Sequence, residues 1–193
     1  MQPLAFDTET CLIRRGLLAP PLVCVTWQRR GQPAGIAHHS EAEPLIRGWL
    51  EDPNTLLIGH HIAFDMAVIA ECYPPLRSLI FAVYETDRVT DTMLRGMLID
   101  IASGTYRGRP AGHGKFIKYE YNLAALAKRY ADIELSKDAW RTSYAEFLHT
   151  PLNQWPARAV EVQDHARSRL AELHARDVAK TWRERRRLPA LLP

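Results

Sequence analysis

Cysteine is scarce in this sequence, and long apolar runs are absent. The 193 residues contain three cysteines, Cys11, Cys24 and Cys72, none of them in a CxxC pair. An odd number without Cys/His metal spacing indicates neither a disulfide framework nor a structural zinc site, and it favours buried free thiols. No run approaches the roughly 18 apolar residues of a membrane span, and no basic-then-apolar signal opens the chain. We therefore expect a cytoplasmic protein that does not bind membranes.

The chain also carries only a small excess of positive charge. The formal net charge is +3, hydrophobic residues make up 47% and charged residues 24%. This composition excludes wholesale disorder and a collagen-like repeat. No internal repeat or linker-like segment divides the chain, and its length fits one compact domain. We therefore predict a single domain over residues 1–193.

Three antiparallel strands are predicted at the N-terminus, where apolar runs are separated by a basic turn and a hairpin loop. These runs cover residues 3–6, 21–27 and 34–39. Ser40 and Glu43 resemble a capping box, which predicts a helix that ends at Pro53. The short, uniformly apolar run Thr55–Gly59 predicts a central strand that is buried on both faces.

Helices and strands alternate in the remaining sequence. Helical spacing predicts helices over 63–72, 91–101 and 121–130 and from about Pro156 into the 180s. In the second of these, Met93, Leu94, Met97 and Leu98 are expected to point inward. The apolar patch 79–83 fits the next strand of the alternation, and 104–119 lacks periodicity, which predicts a mobile basic surface loop. Together the elements predict one α/β domain with a mixed sheet.

Acidic residues carry the most informative chemical signal. In a strand, residues two apart project to the same face, so Asp7 and Glu9 can present both carboxylates to one point. Placing such a pair after a buried strand is costly without a compensating ion, and hard oxygen ligands suit Mg²⁺ or Mn²⁺. Most D-x-E pairs nevertheless face solvent only, and Asp65 alone is typical of an acid that favours a helix N-terminus.

The acids occur in a recognisable series. Phe6–Thr10 (FDTET) is followed by Ile58–Asp65 (IGHHIAFD) and by Asp164 in the last predicted helix. This order resembles the DEDD superfamily of 3′→5′ exonucleases, and most closely the proofreading exonuclease domains of family A DNA polymerases from bacteria and phages. Further similarity lies in residues 89–94, 121–127 and 138–156, so that the resemblance covers nearly the whole chain.

That resemblance implies an RNase H-like fold, with a central mixed five-stranded sheet flanked by helices. It also implies a site for two divalent ions, Mg²⁺ or Mn²⁺, which activate water and stabilise the leaving 3′-oxygen. The implied ligands and catalytic residues are Asp7, Glu9, Asp65 and Asp164, and the implied nucleotide contacts are Thr8, Thr10, His61 and Phe64. The expected reaction releases nucleoside monophosphates from single-stranded or frayed DNA 3′ ends, and a polymerase domain in the same or another chain is the expected partner.

Two departures from the family pattern bear on activity. His61 stands where the family commonly has asparagine. Val160 and Ala159 stand where the family has a tyrosine one turn before the last aspartate, or a histidine five residues before it. The absent group contributes typically 10²- to 10⁴-fold as a base or positioning residue. The alternative function is therefore a catalytically weakened nucleic-acid-binding or structural module of a polymerase. His60, His61, Tyr144 and His165 are candidate replacements.

A local basic excess lies between residues 105 and 129, where Glu120 is the single acid. Four of its cations are candidate contacts to a nucleic-acid backbone, namely Arg107, Arg109, Lys115 and Lys118. With interleaved aromatic residues, this segment could bind phosphates and stack bases of a single strand, or it could be a solvated loop whose aromatics pack on the domain. The tryptophans are predicted to be packing anchors, and the choice between DNA and RNA stays open.

Overall fold

A computed structural model describes residues 1–106, 108–134 and 143–161 of the chain, and of Arg109 only the backbone. The strands are β1 Gln2–Thr10, β2 Leu22–Arg29, β3 Gly35–His38, β4 Thr55–Gly59, β5 Val89–Asp91, β6 Gly108–Pro110 and β7 Phe116–Lys118. The helices are α1 His39–Glu51, α2 Ile62–Cys72, α3 Arg77–Glu85, α4 Thr92–Ala102 and α5 Leu123–Ala131. Residues 157–161 are also helical.

β1 lies at the centre of a mixed five-stranded sheet of order β3-β2-β1-β4-β5. It pairs antiparallel with β2 and parallel with β4, while β2–β3 are antiparallel and β4–β5 parallel. Its run Leu4–Ala5–Phe6 is at most 2% exposed, as an internal strand covered on both faces requires. The α/β class, the mixed sheet, the antiparallel N-terminal strands and the internal strand Thr55–Gly59 are thus confirmed.

The first of two large cores lies between the sheet and helices α1, α2 and α3. Leu4 and Phe6 of β1 contribute to it, together with Trp49 of α1 and Ile69 of α2. The ring of Trp49 lies 6.1 Å from that of Phe6 and 5.4 Å from that of Trp27, and such aromatic pairs stabilise beyond their buried area. Trp27 and Trp49 are therefore packing anchors, as expected.

The second core covers the opposite face of the sheet. Val23 and Cys24 of β2 pack there against Tyr144, Trp155 and Ala159. The Tyr144 hydroxyl donates to the backbone oxygen of Ala159 at 2.8 Å, which joins both ends of the segment 143–161. Trp155 is a third packing anchor, whereas Trp140 and Trp182 lie outside the described residues.

The start of α1 and the segment around residue 80 differ from the prediction. The N-cap of α1 is His38, whose Nδ1 accepts from the Ser40 amide at 3.4 Å, so Ser40 is not the cap. Residues 79–83 belong to α3 and not to a strand, because a 3-10 turn over Pro74–Leu76 leads into a helix that buries Ile80 and Val83. An apolar run this short does not separate a strand from a buried helix by itself.

Helix α4 and the segment that follows it also differ from the prediction. Leu94 and Leu98 do not point inward, since they are 53% and 64% exposed. The buried face of α4 instead carries Asp100, which accepts from the hydroxyl groups of Tyr121 and Tyr130. Part of the predicted irregular loop forms the antiparallel hairpin β6–β7. Gly108 permits this pairing, because a Cβ there would lie 2.1 Å from the Ile117 oxygen.

No helix in the described ranges is long and apolar enough to cross a bilayer. All three cysteines are free thiols, with Cys24 buried and the other two half-buried. The single-domain organisation and the cytoplasmic location stay predictions.

Arg88, the buried residue directly before β5, bonds to the ends of α1 and α3. Arg88 is 8% exposed, and its guanidinium donates to the backbone oxygens of Leu50 and Asp52 and to the hydroxyl of Thr86. It thereby satisfies carbonyl groups at the end of α1, which otherwise have no partner within the helix. The position of α1 relative to β5 depends on this side chain.

We expect Arg88→Ala to lower the free energy of unfolding by about 2–3 kcal/mol, because buried carbonyl groups lose charged donors. Equilibrium urea unfolding measures this loss. Arg77→Ala is the control, since the Arg77–Glu71 pair is about half exposed and is worth about 1 kcal/mol or less. Equal losses in the two variants would contradict a structural role that is specific to Arg88.

Candidate active site

Asp7 and Glu9 lie side by side on one face of β1. Glu9 pairs with Cys24 of β2, and Cys24 packs with Ala159 in the second core. Because directly paired residues project to the same face, both carboxylates lie on the face that residues 143–161 cover. The register shifts between Glu9 and Thr10, and such irregularities re-aim side chains near active sites.

Asp65 reaches the same strand from the first turn of α2. Its Oδ1 accepts from the Thr8 backbone N at 3.0 Å and from the Thr8 Oγ1 at 2.6 Å. Since Thr8 stands between Asp7 and Glu9, these two bonds bring the helix start to the acidic end of β1. The side chain of Asp65 is buried, with 2% exposure.

The buried position makes the Asp65 carboxylate electrostatically unusual. Burial raises the pKa of Asp65 well above its usual range, the negative charge of Asp7 raises it further, and the bonds from Thr8 oppose the shift. Two neighbouring carboxylates of which one is desolvated are stabilised by a proton or a cation between them. Their oxygen donors are of the hard type that Mg²⁺ and Mn²⁺ prefer, so the residues present fit a divalent ion.

The predicted set of metal ligands is not complete among the described residues. Across 1–106, 108–134 and 143–161, no three His, Cys, Asp or Glu side chains lie together in a way that could hold a metal ion. Asp164, the fourth acid of the sequence prediction, lies outside these ranges, as do His165 and Asp177. The charge of Asp7 thus acts on the pKa of Asp65, and Glu9 lies on the same face of β1 as Asp7. The complete set of metal ligands stays a prediction.

The predicted nucleotide contacts have different surroundings. The Thr8 hydroxyl binds Asp65, and Phe64 packs partly buried against the first core. Thr10 is half-buried at the end of β1, and His61 is exposed at the start of α2. His61 has a left-handed backbone with φ of 60°. Asparagine and histidine adopt this conformation more readily than most residues, which explains how histidine can replace the asparagine of the family pattern.

The positions before Asp164 are apolar in the structure as well as in the sequence. Ala159 is fully buried, and Val160 packs partly buried against the second core. Tyr144 is 1% exposed, and its hydroxyl donates to Ala159, so that this candidate replacement is held inside the core. None of these contacts supplies a polar group to an attacking water.

An exposed apolar loop leaves the acidic end of β1, where the sequence predicts only a basic turn. Leu12, Ile13 and Leu18 are 66%, 75% and 91% exposed, and Arg14 and Arg15 lie between them. The signal was present, because large apolar residues in a turn between two strands cannot all enter the core. This loop offers apolar and cationic side chains next to Thr10.

The basic and aromatic segment divides into a packed part and an exposed part. Arg129 lies over the rings of Tyr119, Tyr121 and Tyr130, at 4.4, 5.2 and 4.8 Å from their centroids, and pairs with Asp100 at 2.9 Å. These residues match the packing alternative. In the hairpin, Lys115 and Lys118 are exposed and Phe116 is 60% exposed. Arg107 and the side chain of Arg109 lie outside the described part of the chain.

A sequence model of the 3′-5′ exonuclease family matches residues 1–157. The chain belongs to this family. The match confirms the DEDD 3′→5′ exonuclease superfamily that the motifs indicate, without singling out polymerase proofreading domains, and it ends before Asp164. No curated protein matches this exonuclease chain.

Three solved structures resemble this family member in fold. The Nibbler EXO domain from Aedes aegypti has a TM-score of 0.63 at 14% identity, over 90% of this chain and 76% of that one. Brucella melitensis NrnC gives 0.58 at 18% identity, over 95% and 74%. Escherichia coli RNase D, an exoribonuclease involved in structured RNA processing, gives 0.55 at 20% identity, over 93% of this chain and 40% of its own. These neighbours support the expected RNase H-like fold.

We expect Asp65→Asn to stabilise the metal-free exonuclease at neutral pH. Asparagine keeps the oxygen that accepts both Thr8 bonds and removes the buried charge. Because the folded pKa is raised above the usual 3.8, the folded state of the wild type binds more protons than the unfolded state between the two values. Wild-type stability should therefore fall as pH rises through this window, by up to about 1.4 kcal/mol per pH unit, and the variant should not show this fall.

Urea unfolding in the presence of a chelator, between pH 4 and 8, measures this difference. The two proteins should converge at acid pH, where both side chains are neutral. Asp87→Asn is the control, because Asp87 is exposed and asparagine tolerates its left-handed φ of 54°. Parallel curves for the wild type and Asp65→Asn would show that burial does not penalise this carboxylate.

Proposed function

We propose that this protein is a metal-dependent 3′→5′ exonuclease that removes nucleoside monophosphates from the 3′ end of a single nucleic-acid strand. One observation carries the proposal: a buried carboxylate, Asp65, is held by Thr8 beside Asp7 at the end of the central strand. Membership of the 3′-5′ exonuclease family supports the same reaction.

The acids of this site would hold two divalent ions, with Asp7, Glu9, Asp65 and Asp164 as ligands. Bound ions would supply an acidified water and charge stabilisation at the scissile phosphate and the leaving oxygen. Asp7 and Glu9 provide donors from the rigid strand, and Thr8 fixes the orientation of Asp65 through two hydrogen bonds. Metal ligands held by bonded neighbours in this way keep the geometry that the reaction needs.

The substrate strand would lie between the two exposed basic surfaces. The loop 11–18 offers apolar side chains to bases and Arg14 and Arg15 to phosphates. The hairpin β6–β7 offers Phe116 for stacking and Lys115 and Lys118 for phosphates, and a site of this kind binds single strands with little sequence preference. Thr10, His61 and Phe64 would contact the terminal nucleotide, while Thr8 would act through Asp65.

DNA is the first substrate that we propose, because the motifs resemble proofreading domains of family A polymerases, with a polymerase domain as the corresponding partner. RNA is the second, because the fold is similar to that of RNase D, an exoribonuclease. A weakened, binding-only role is a third candidate, supported by the apolar surroundings of Ala159 and Val160. One set of assays separates the three.

We expect the wild type to shorten a 5′-labelled oligonucleotide stepwise in Mn²⁺ or Mg²⁺, and Asp7→Asn to reduce kcat at least about 10²-fold, since it removes a charged ligand of the site. Glu85→Gln, at the exposed end of α3, is the control and should match the wild type. Denaturing gel electrophoresis measures product lengths for DNA and RNA of equal sequence, each with a free or a blocked 3′ end.

A blocked 3′ end should prevent cleavage, and the preferred sugar is read from the ratio of kcat/KM values. Cleavage that Asp7→Asn leaves intact would show that the site lies elsewhere. Binding of the oligonucleotide without any cleavage, in either metal and with either sugar, would favour the weakened module over the exonuclease.

The hairpin lysines should set substrate affinity and its dependence on salt. In an Asp7→Asn background that prevents cleavage, we expect Lys115→Ala with Lys118→Ala to raise Kd and to reduce the slope of log Kd against log salt by about 1.4, or about 0.7 for each phosphate that is no longer neutralised. Fluorescence anisotropy with a labelled single strand measures both. Lys128→Ala is the control, because Lys128 is occupied by Asp132 and Glu134 at 3.0 and 3.1 Å. An unchanged slope in the double variant would exclude the hairpin from the binding surface.

A further inference from the structure

Asp91 occupies an unusual position at the end of β5. Its Oδ1 accepts from the backbone N of Met93 at 2.8 Å and of Leu94 at 3.2 Å. These bonds make it the N-cap of α4, a role for which aspartate is among the preferred residues. Such a cap explains only part of its contacts.

The same carboxylate also binds the start of another helix. Its Oδ1 accepts from the His61 amide at 3.2 Å, and its Oδ2 accepts from the Ile62 amide at 3.1 Å. The N-cap residue of α2 is His61 itself, which has a left-handed backbone and makes no side-chain cap bond. Asp91 therefore gives α2 the acceptor that the helix lacks in its own sequence, because the first amides of a helix have no partner within it.

The next residue binds the same turn from the other side. Thr92 Oγ1 donates to the Gly59 oxygen at 3.1 Å and lies 3.0 Å from His60 Nδ1. Register brings these groups together, since Gly59 and Asp91 are partners at the ends of the parallel strands β4 and β5. Two adjacent side chains thus hold the complete turn from residue 59 to residue 62.

The geometry of the turn 59–62 determines the position of Asp65. Asp65 is in the first turn of α2, only three residues after Ile62, so it moves with the helix start as a rigid body. Its Oδ1 must meet both the amide and the hydroxyl of Thr8. A displacement of about 1 Å in such an arrangement can reduce catalysis about 10²-fold.

We propose that Asp91 is a positioning residue of the exonuclease site: by capping α4 and α2 with one carboxylate, it fixes the left-handed turn at His61 and thereby the location of Asp65. The proposal rests on the exonuclease function proposed above. Asp91 touches neither substrate nor ion in this role and acts only through the backbone of α2.

Substitutions at residue 91 separate this role from ordinary helix capping. Asp91→Asn keeps an oxygen for Met93, Leu94 and His61 but turns an NH₂ group toward the Ile62 amide. Asp91→Ser keeps a capping oxygen for α4, since serine caps about as well as aspartate, and is too short to reach α2. Asn122→Ala is the matched control, because it removes the cap of α5, a bond to the Ala125 amide at 2.9 Å, without touching the site.

The experiment measures kcat and KM on a labelled oligonucleotide, the thermal midpoint, amide hydrogen exchange and the affinity for Mn²⁺ by calorimetry. We expect kcat to fall about 10-fold in Asp91→Asn and about 100-fold in Asp91→Ser, with KM within about twofold of wild type. Exchange at residues 61–65 should accelerate at least about tenfold, and Mn²⁺ should bind more weakly. Asn122→Ala should lower the midpoint by about 2–4 °C and leave kcat unchanged.

The outcomes distinguish this proposal from the function on which it rests. A wild-type kcat, exchange rate and Mn²⁺ affinity in Asp91→Ser would overturn the positioning role, and so would an equal loss of kcat in Asn122→Ala. If the wild type cleaves no nucleic acid, the exonuclease function fails. Hydrogen exchange and Mn²⁺ affinity then still test the positioning role of Asp91. Faster exchange at residues 61–65 together with weaker Mn²⁺ binding in the Asp91 variants would support it, and wild-type values of both would overturn it.

Discussion

Two hydrogen bonds from Thr8 to Asp65 join the acidic end of β1 to the start of α2. One comes from the backbone and one from the side chain of a strand residue, and both end on the same carboxylate oxygen. They join the central strand to the first turn of α2 and bring a buried acid next to Asp7. The resulting repulsion and desolvation oppose folding of the metal-free chain, and the same arrangement provides the oxygen donors that a divalent ion requires.

The elements that carry this arrangement were predictable from local patterns. The apolar run before Asp7 and the uniformly apolar run Thr55–Gly59 predict internal strands, and both lie inside the sheet. Alternation along a strand also predicts that Asp7 and Glu9 share a face. These features can be read from the two-residue period of a strand and from a uniformly apolar composition, which are local properties of the sequence.

Other features depend on partners that are distant in the sequence. The exposure of Leu94 and Leu98 follows from Asp100, which turns inward to bind two tyrosines and Arg129. Helical periodicity alone predicts instead that the apolar side of the helix is buried. Asp91 was visible as part of a family motif, but its contacts with His61 and Ile62 depend on the register of β5 beside β4. The placement of Asp164 stays a prediction, because the described residues end before it.

The topology of the sheet has a consequence for the order of folding. The meander β1–β2–β3 uses contacts that are local in sequence, so it can form early and cheaply during synthesis. β4 can pair with β1 only after a much longer loop has closed, at a greater cost in chain entropy. Asp65 follows β4 and therefore reaches Thr8 only after this loop has closed. A chain that stops at the meander contains Asp7 and Glu9 but neither β4 nor Asp65, so the buried acid requires at least the first 65 residues of the sequence.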